Sequence, residues 1–304
     1  MKQTKKANIL LTIFLPILIA VVLFTGLSLL VPKAPPRLKE TATTRDSNLK
    51  EKIHYTAVGD SLTQGVGDQT DQGGFIPLVA NQITDKYDLT SVETDNFGVS
   101  GERSDQIKKR VVSDEKLRKD LKSSDFITVT VGGNDLMKVI QNNIFGLSIK
   151  KFNKPLKNYQ KNVASLLEEI RELNPDAPIY VLGIYNPFYL NFPEITDMQT
   201  IVDNWNDGTK ETVKDADNSY FIPINDLLYQ GLDQKVGVTE ATSDSVDASE
   251  KEKTDSSDLN VVKNDALYEE DHFHPNNIGY QLMANAVYDE LVKTKNLWLV
   301  KGEN

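Results

Sequence analysis

The sequence predicts an α/β fold: a three-layer domain with about five parallel strands, preceded by one N-terminal transmembrane helix. Three observations carry this. Short apolar runs rich in β-branched and aromatic residues recur along the chain. Stretches of helical period lie between them. One long uncharged apolar run stands near the N-terminus.

That run comes first. "MKQTKKANILLTIFLPILIAVVLFTGLSLLVPK" opens on a short basic segment, residues 1–8, with Lys2, Lys5 and Lys6. Residues 9–31 then carry no charge. A membrane-spanning helix needs about 20 apolar residues, and a signal-peptide core only about 7–15. The length therefore favours an uncleaved signal anchor, in which Pro16 and Gly26 are tolerated. Lysines before the span place the N-terminus in the cytoplasm and the bulk of the chain outside. The alternative is a cleaved signal peptide and a secreted protein, although no convincing small-x-small site follows Leu30. Either way the protein is exported. The chain has no cysteine, so a lipoprotein anchor, disulfides, thiolate catalysis and Cys-ligated zinc are all excluded.

Residues 32–52 are polar, with Pro32, Pro35 and Pro36, and read as an extended linker. The domain is expected over residues 53–296. "IHYTAVG" (53–59) is its first strand, followed by "VETDNFG" (92–98), "FITVTVGG" (126–133), "PIYVLGIY" (178–185) and "SYFIPI" (219–224). These runs lack clean alternation, as expected of parallel strands covered on both faces. Helices are predicted over 74–87, 159–175, 194–216 and 276–294. In the second, Val163, Leu166, Leu167 and Ile170 form one stripe that stops before Pro175. Residues 239–260, "TEATSDSVDASEKEKTDSSDLN", are polar and acidic and read as a disordered surface insertion. The formal net charge of −10 argues against nucleic acid, whose phosphates require a basic surface.

"AVGDSLTQG" (57–65) ends the first strand and raises Ser61 as a nucleophile. Taken alone, Asp, Ser and Gly here describe a turn. A serine hydroxyl is a poor nucleophile at neutral pH; it needs a base, a group to orient that base, and donors for an oxyanion. The chain has three histidines, His54, His272 and His274. His54 lies early in the first strand, away from the carboxyl ends where ligands gather in open α/β sheets. The other two lie in "EEDHFHPNNIGY" (269–280), just before the last helix. In a turn-like segment Asp271 and His274, three residues apart, bring a carboxylate beside an imidazole. His272 points elsewhere, and Pro275 holds His274 extended and opens the next helix. Gly98 and Gly101 follow the second strand in "DNFGVSGERS" (95–104), and Asn134 follows the third in "VTVGGNDLM" (129–137). Glycine lets a backbone N–H approach a substrate, and an Asn amide is a neutral oxyanion donor. Taken singly, each reads better as a turn or cap. Together, each ending a predicted strand or preceding the last helix, they are expected to converge on one edge of one sheet.

In this order "GDSLTQG", "NFGVSG", "GGND" and "DHFHPN" resemble the four blocks of the SGNH, or GDSL-type, hydrolase and lipase family, across about residues 53–293. The chain is most similar to membrane-anchored or secreted esterases of Gram-positive bacteria. The resemblance implies a flavodoxin-like three-layer α/β/α sandwich and metal-free ester hydrolysis through an acyl-enzyme, with no cofactor. Position by position it implies Ser61 as nucleophile, its own N–H in the oxyanion hole. Gly101 matches the second donor through its N–H, and Asn134 the third through its side-chain amide. His274 matches the base and Asp271 the acid that orients it. Asp60 and Asp135 support the loops. His272, between Asp271 and His274, departs from the pattern.

Two other readings compete. Asp60, Asn134, Asp135, His272 and His274 suggest a metal-dependent phosphoesterase, but an early Asp-x-His and a His in the GN motif are missing. A non-catalytic, surface-tethered binding domain would suit the anchor and the acidic insertion, but not an intact Ser61, Asn134, Asp271 and His274 set. The expected partner is an acyl ester: a lipid, an acylated glycan or a small ester. The aromatic-rich "YNPFYLNFPEI" (185–195) is expected either to line an acyl pocket or to pack on the sheet.

Overall fold

The structure, a computed structural model, describes residues 48–143, 148–187, 196–230 and 265–301. The anchor at 9–31 and the insertion at 239–260 lie outside the described residues, as does 188–195 of the aromatic-rich segment. Among the described residues no helix is long and apolar enough to cross a membrane.

Five strands form one sheet: β1 (Lys52–Gly59), β2 (Ser91–Gly98), β3 (Phe126–Thr130), β4 (Ile179–Leu182) and β5 (Ser219–Ile222). All neighbours are parallel, in the order β2-β1-β3-β4-β5. Every residue of β3 and β4 is buried, which explains their lack of alternation in sequence. Successive side chains go to opposite faces. Phe126, Tyr180 and Leu182 join one core with Tyr55, while Ile127, Val129, Ile179 and Val181 join the other.

Helices α1 (Ser61–Gln64) and α2 (Phe75–Tyr87) follow β1; α3 (Ser104–Ser113) and α4 (Glu115–Ser123) follow β2. After β3 come α5 (Gly133–Asn142) and α6 (Asn153–Leu173), and after β4 α7 (Thr196–Lys214). The chain continues through α8 (Asn225–Gln230), α9 (Asn277–Lys293) and α10 (Lys295–Trp298). The first core holds Phe75, Val79 and Ile83 of α2 and Met283, Val287 and Leu291 of α9. The second holds Ile107 and Val111 of α3, Val163, Leu166 and Ile170 of α6, and Trp205 of α7. The result is a three-layer α/β/α arrangement.

Residues flanking 53–296 also pack here. Leu49 bridges antiparallel to Val300, and Trp298 stands edge-on to Phe126 at 5.5 Å and to Tyr87 at 5.6 Å. The third strand stops at Thr130, because Gly132 turns to φ +116° and α5 starts at Gly133. The chain leaves β1 to one side for β2 and crosses to the other for β3. This reversal makes a switch point, and at such a point the carboxyl strand ends diverge into a crevice.

Candidate active site

At that crevice β1 hands over to α1. Asp60 caps the helix: its Oδ1 accepts from the N–H of Leu62 at 3.1 Å and from Thr130 Oγ1 at 2.8 Å. Thr63 Oγ1 lies 2.8 Å from the same Thr130 hydroxyl. Ser61 is therefore the first helical residue, largely buried, and its N–H has no acceptor within the helix. Burial pushes the Asp60 carboxyl above its ordinary range, against the bonds from Thr130 and Leu62 and the nearby charge of His274, which all lower it.

The end of β2 presses against α1. A Cβ at Gly98 would fall 2.0 Å from the Gln64 nitrogen, so only glycine fits. Gln64 Oε1 accepts from the N–H of Ser100 at 2.7 Å. Gly101 is glycine for another reason: its φ is +83°, while a Cβ there would meet nothing within 4 Å. Asn134, in the first turn of α5, donates one Nδ2 hydrogen to the carbonyl of Glu102 at 2.9 Å. A primary amide carries two such hydrogens.

The last block is a tight turn. Asp271 Oδ1 accepts from the N–H of Phe273 and of His274, both at 2.9 Å, and Oδ2 sits 2.6 Å from His274 Nδ1. His272 takes φ +50° to close the turn and is exposed. Partial burial would raise the Asp271 carboxyl, but the hydrogen bonds from His274 and from the two N–H groups outweigh it and lower the pKa. With Nδ1 on the carboxylate, Nε2 is the ring nitrogen left for chemistry. Asn276 then caps α9, accepting from the N–H of Ile278 at 2.9 Å and of Gly279 at 3.1 Å.

Three contacts hold this turn and the start of α9, two of them to the serine loop and one, from Tyr185, to the segment after β4. Tyr280 Oη donates to the carbonyl of Val66 at 2.6 Å, Tyr185 Oη donates to the carbonyl of Phe273, and the N–H of Gln69 donates to Asn277 Oδ1 at 2.9 Å. A Cβ at Gly67 would lie 3.3 Å from the Cβ of His274. No hydrogen bond joins Ser61 Oγ to His274 among the described residues. Ser61, Asn134 and Phe273 share the wall of one cavity with Leu136, Met137, Ile140, Ile184, Tyr185, Pro187 and Val202. Tyr185 and Pro187 thus bring the start of the aromatic-rich segment to that cavity. His54 stands apart, near the start of β1, with Nε2 2.9 Å from Asp95 Oδ2 and Nδ1 3.0 Å from Ser123 Oγ.

Residues 57–282, more than half the chain, match the GDSL-like lipase/acylhydrolase family. The chain belongs to that family. It is accordingly an ester hydrolase. It is 34% identical over 248 residues to the uncharacterized protein YpmR of Bacillus subtilis, covering 82% of this chain and 85% of that one. It is 28% identical over 189 residues to the spore germination lipase LipC of Bacillus licheniformis, covering 60% and 84%. Among solved structures, the fold is similar to the lipase Lip_vut3 from a goat rumen metagenome (TM-score 0.59, 22% identity, 78% and 96% of the two chains). It is also similar to Axe2, an acetylxylan esterase from Geobacillus stearothermophilus (TM-score 0.52, 18% identity, 80% and 96%).

In this GDSL-type hydrolase several supporting residues escaped the sequence reading. Arg110 of α3 donates through Nη2 to the carbonyl of Gly59 at 3.1 Å and through Nε to Glu102 Oε2 at 2.6 Å. Thr130 holds Asp60, and Tyr185 and Tyr280 hold the histidine turn. Arg110 lies on an ordinary amphipathic helix and carries no motif signal. Asp135, singled out as a loop support, accepts from the Ser104 N–H at 2.8 Å and Oγ at 2.6 Å; burial raises its carboxyl despite those bonds.

Proposed function

We propose that this GDSL-type hydrolase is an extracytoplasmic serine esterase that cleaves carboxylic esters through an acyl-enzyme on Ser61. The observation that carries the reading is the Asp271–His274 pair, 2.6 Å apart, docked on the loop that follows Ser61. His274 Nε2 takes the proton of Ser61 Oγ, which attacks the ester carbonyl carbon. The oxyanion is held by the N–H groups of Ser61 and Gly101 and by the second Nδ2 hydrogen of Asn134. His274 returns its proton to the departing alcohol. Water, deprotonated by the same nitrogen, then hydrolyses the acyl-serine. Asp271 fixes the tautomer and stabilises the imidazolium. The apolar cavity beside Ser61 takes the acyl group. Lysines ahead of the uncharged run at 9–31 support placement outside the membrane, tethered to it or, if the segment is cleaved, secreted.

The test is hydrolysis of p-nitrophenyl esters of increasing acyl length by the full chain in detergent, beside Ser61→Ala. Turnover that vanishes with the serine and peaks at one chain length supports the proposal. Turnover that survives Ser61→Ala overturns it.

A further inference from the structure

A second cavity, of about 690 Å³, opens beside the histidine turn. That is within the range of about 300–1,000 Å³ usual for small-molecule sites. Gln64, Gly67, Asp68, Gln69, Gln72 and Tyr268 are among its walls. It shares no lining residue with the apolar cavity: Asp60, Ser61 and Leu62 face that one, and Gln64, at the other end of α1, faces this one. It adjoins His274, because a Cβ at Gly67 would lie 3.3 Å from the Cβ atoms of both His274 and Tyr268, and the Tyr268 N–H donates to the His274 carbonyl at 2.8 Å.

From this placement, and resting on the esterase reading, we propose that the cavity receives the alcohol half of the substrate and that this alcohol is an uncharged sugar. The leaving oxygen collects its proton from His274, so the alcohol lies on the histidine's side of the serine. The lining decides its chemistry. Among the described residues it contains no Lys, Arg or His, and it includes Asp68 and Asp71. An alcohol bearing phosphate would meet like charge with no cation to neutralise it. The amides of Gln64, Gln69 and Gln72 and the ring of Tyr268 offer donors, acceptors and an apolar face, the mixture that an array of hydroxyls requires.

The wall is also held in advance. Asp68 Oδ1 accepts from the Thr70 N–H at 2.9 Å and Oγ1 at 2.6 Å. Its Oδ2 accepts from the N–H groups of Gln72 and Gly73, each at 3.1 Å, and of Gly74 at 2.9 Å. One carboxylate thus ties the whole loop, and a preformed wall lowers the ordering cost of binding.

The experiment compares kcat/KM of the full chain, in detergent, on three acetyl esters: p-nitrophenyl acetate, mono-O-acetylxylobiose and acetylated glycerol 3-phosphate. Each is assayed with the native chain, Tyr268→Ala and Gln72→Ala. The proposal expects the sugar ester to be preferred over the phosphorylated ester by about tenfold or more. It expects each variant to lose about tenfold more on the sugar ester than on p-nitrophenyl acetate, through KM. Equal losses on both esters, no loss on the sugar ester, or preference for the phosphorylated ester would overturn it. The esterase reading fails separately, through p-nitrophenyl acetate turnover independent of Ser61.

Discussion

Arg110 and Glu102 form an ion pair of 2.6 Å whose side chains are only 19% and 16% exposed. The same guanidinium holds the carbonyl of Gly59, the first residue of the serine motif. The Glu102 carbonyl in turn receives the Asn134 amide. One side chain therefore links the loops that carry Ser61, Gly101 and Asn134. Displacing a reacting group by about 1 Å can cost about a hundredfold in rate. Arg110→Met is expected to lower kcat by about tenfold to a hundredfold on p-nitrophenyl acetate, with a smaller change in KM. Arg110→Lys, which cannot reach two acceptors as a fork, should recover only part. Steady-state kinetics decide it, with thermal midpoints to separate misplacement from unfolding; unchanged kcat would remove Arg110 from the site.

The Asp271–His274 bond sets the imidazole tautomer. Asp271→Asn keeps the shape but presents an amide that can donate to Nδ1 and strand the proton on Nε2. The expected fall in kcat is about 10³–10⁴, with Ser61→Ala and His274→Ala each removing nearly all turnover. Burst kinetics on a p-nitrophenyl ester would read this step directly. Full activity in Asp271→Asn would mean that another group orients the histidine.

Asn134 already spends one amide hydrogen on Glu102. Its second is the one assigned to the oxyanion. Asn134→Ala loses the donor and the brace, whereas Asn134→Asp adds a negative charge where negative charge develops. Both should lose about a hundredfold or more in kcat, and the aspartate variant more than the alanine at alkaline pH. A pH–rate profile of the two variants distinguishes these effects, since a purely structural loss would be the same at every pH.

Asp60 makes a stability prediction. Burial holds its folded-state pKa above the unfolded value, although the bonds from Thr130 and Leu62 oppose this. A carboxyl raised in this way favours the fold while protonated, and that contribution is lost as pH rises through the folded value. Asp60→Asn keeps an acceptor for Leu62 and Thr130 and cannot ionise. Its thermal midpoint relative to the native chain should therefore improve as pH rises above the ordinary carboxylate range, by about 2–4 °C for each kcal/mol. A difference that stays constant with pH would mean that Asp60 does not titrate above that range.

Much of the fold was legible because burial leaves a compositional mark. Phe126, Ile127 and Val129 read as a strand buried on both faces, and they are one. The stripe of Val163, Leu166, Leu167 and Ile170 read as a helix, and all four are buried in α6. Helices α3 and α4 were not predicted. Leu117 and Leu121 are the apolar residues that α4 buries, in a segment otherwise crowded with charge. Two leucines among so many charged residues read as a solvated segment until a sheet stands behind them. Helix α5 was not predicted either, and its start at Gly133 read as a strand end.

The sequence by itself determined the sheet, the four motif blocks and their order. These are local: a strand, a glycine at a turn, a carboxylate three residues before an imidazole. Tertiary structure decided how the blocks meet. Tyr280 and Val66 are 214 positions apart, Tyr185 and Phe273 88, and Arg110 and Gly59 51. Such pairings have no signature in a single chain, because any tyrosine or arginine can donate to any carbonyl. Only the packing of α9 on α2 and of α3 against the sheet selects which one it reaches.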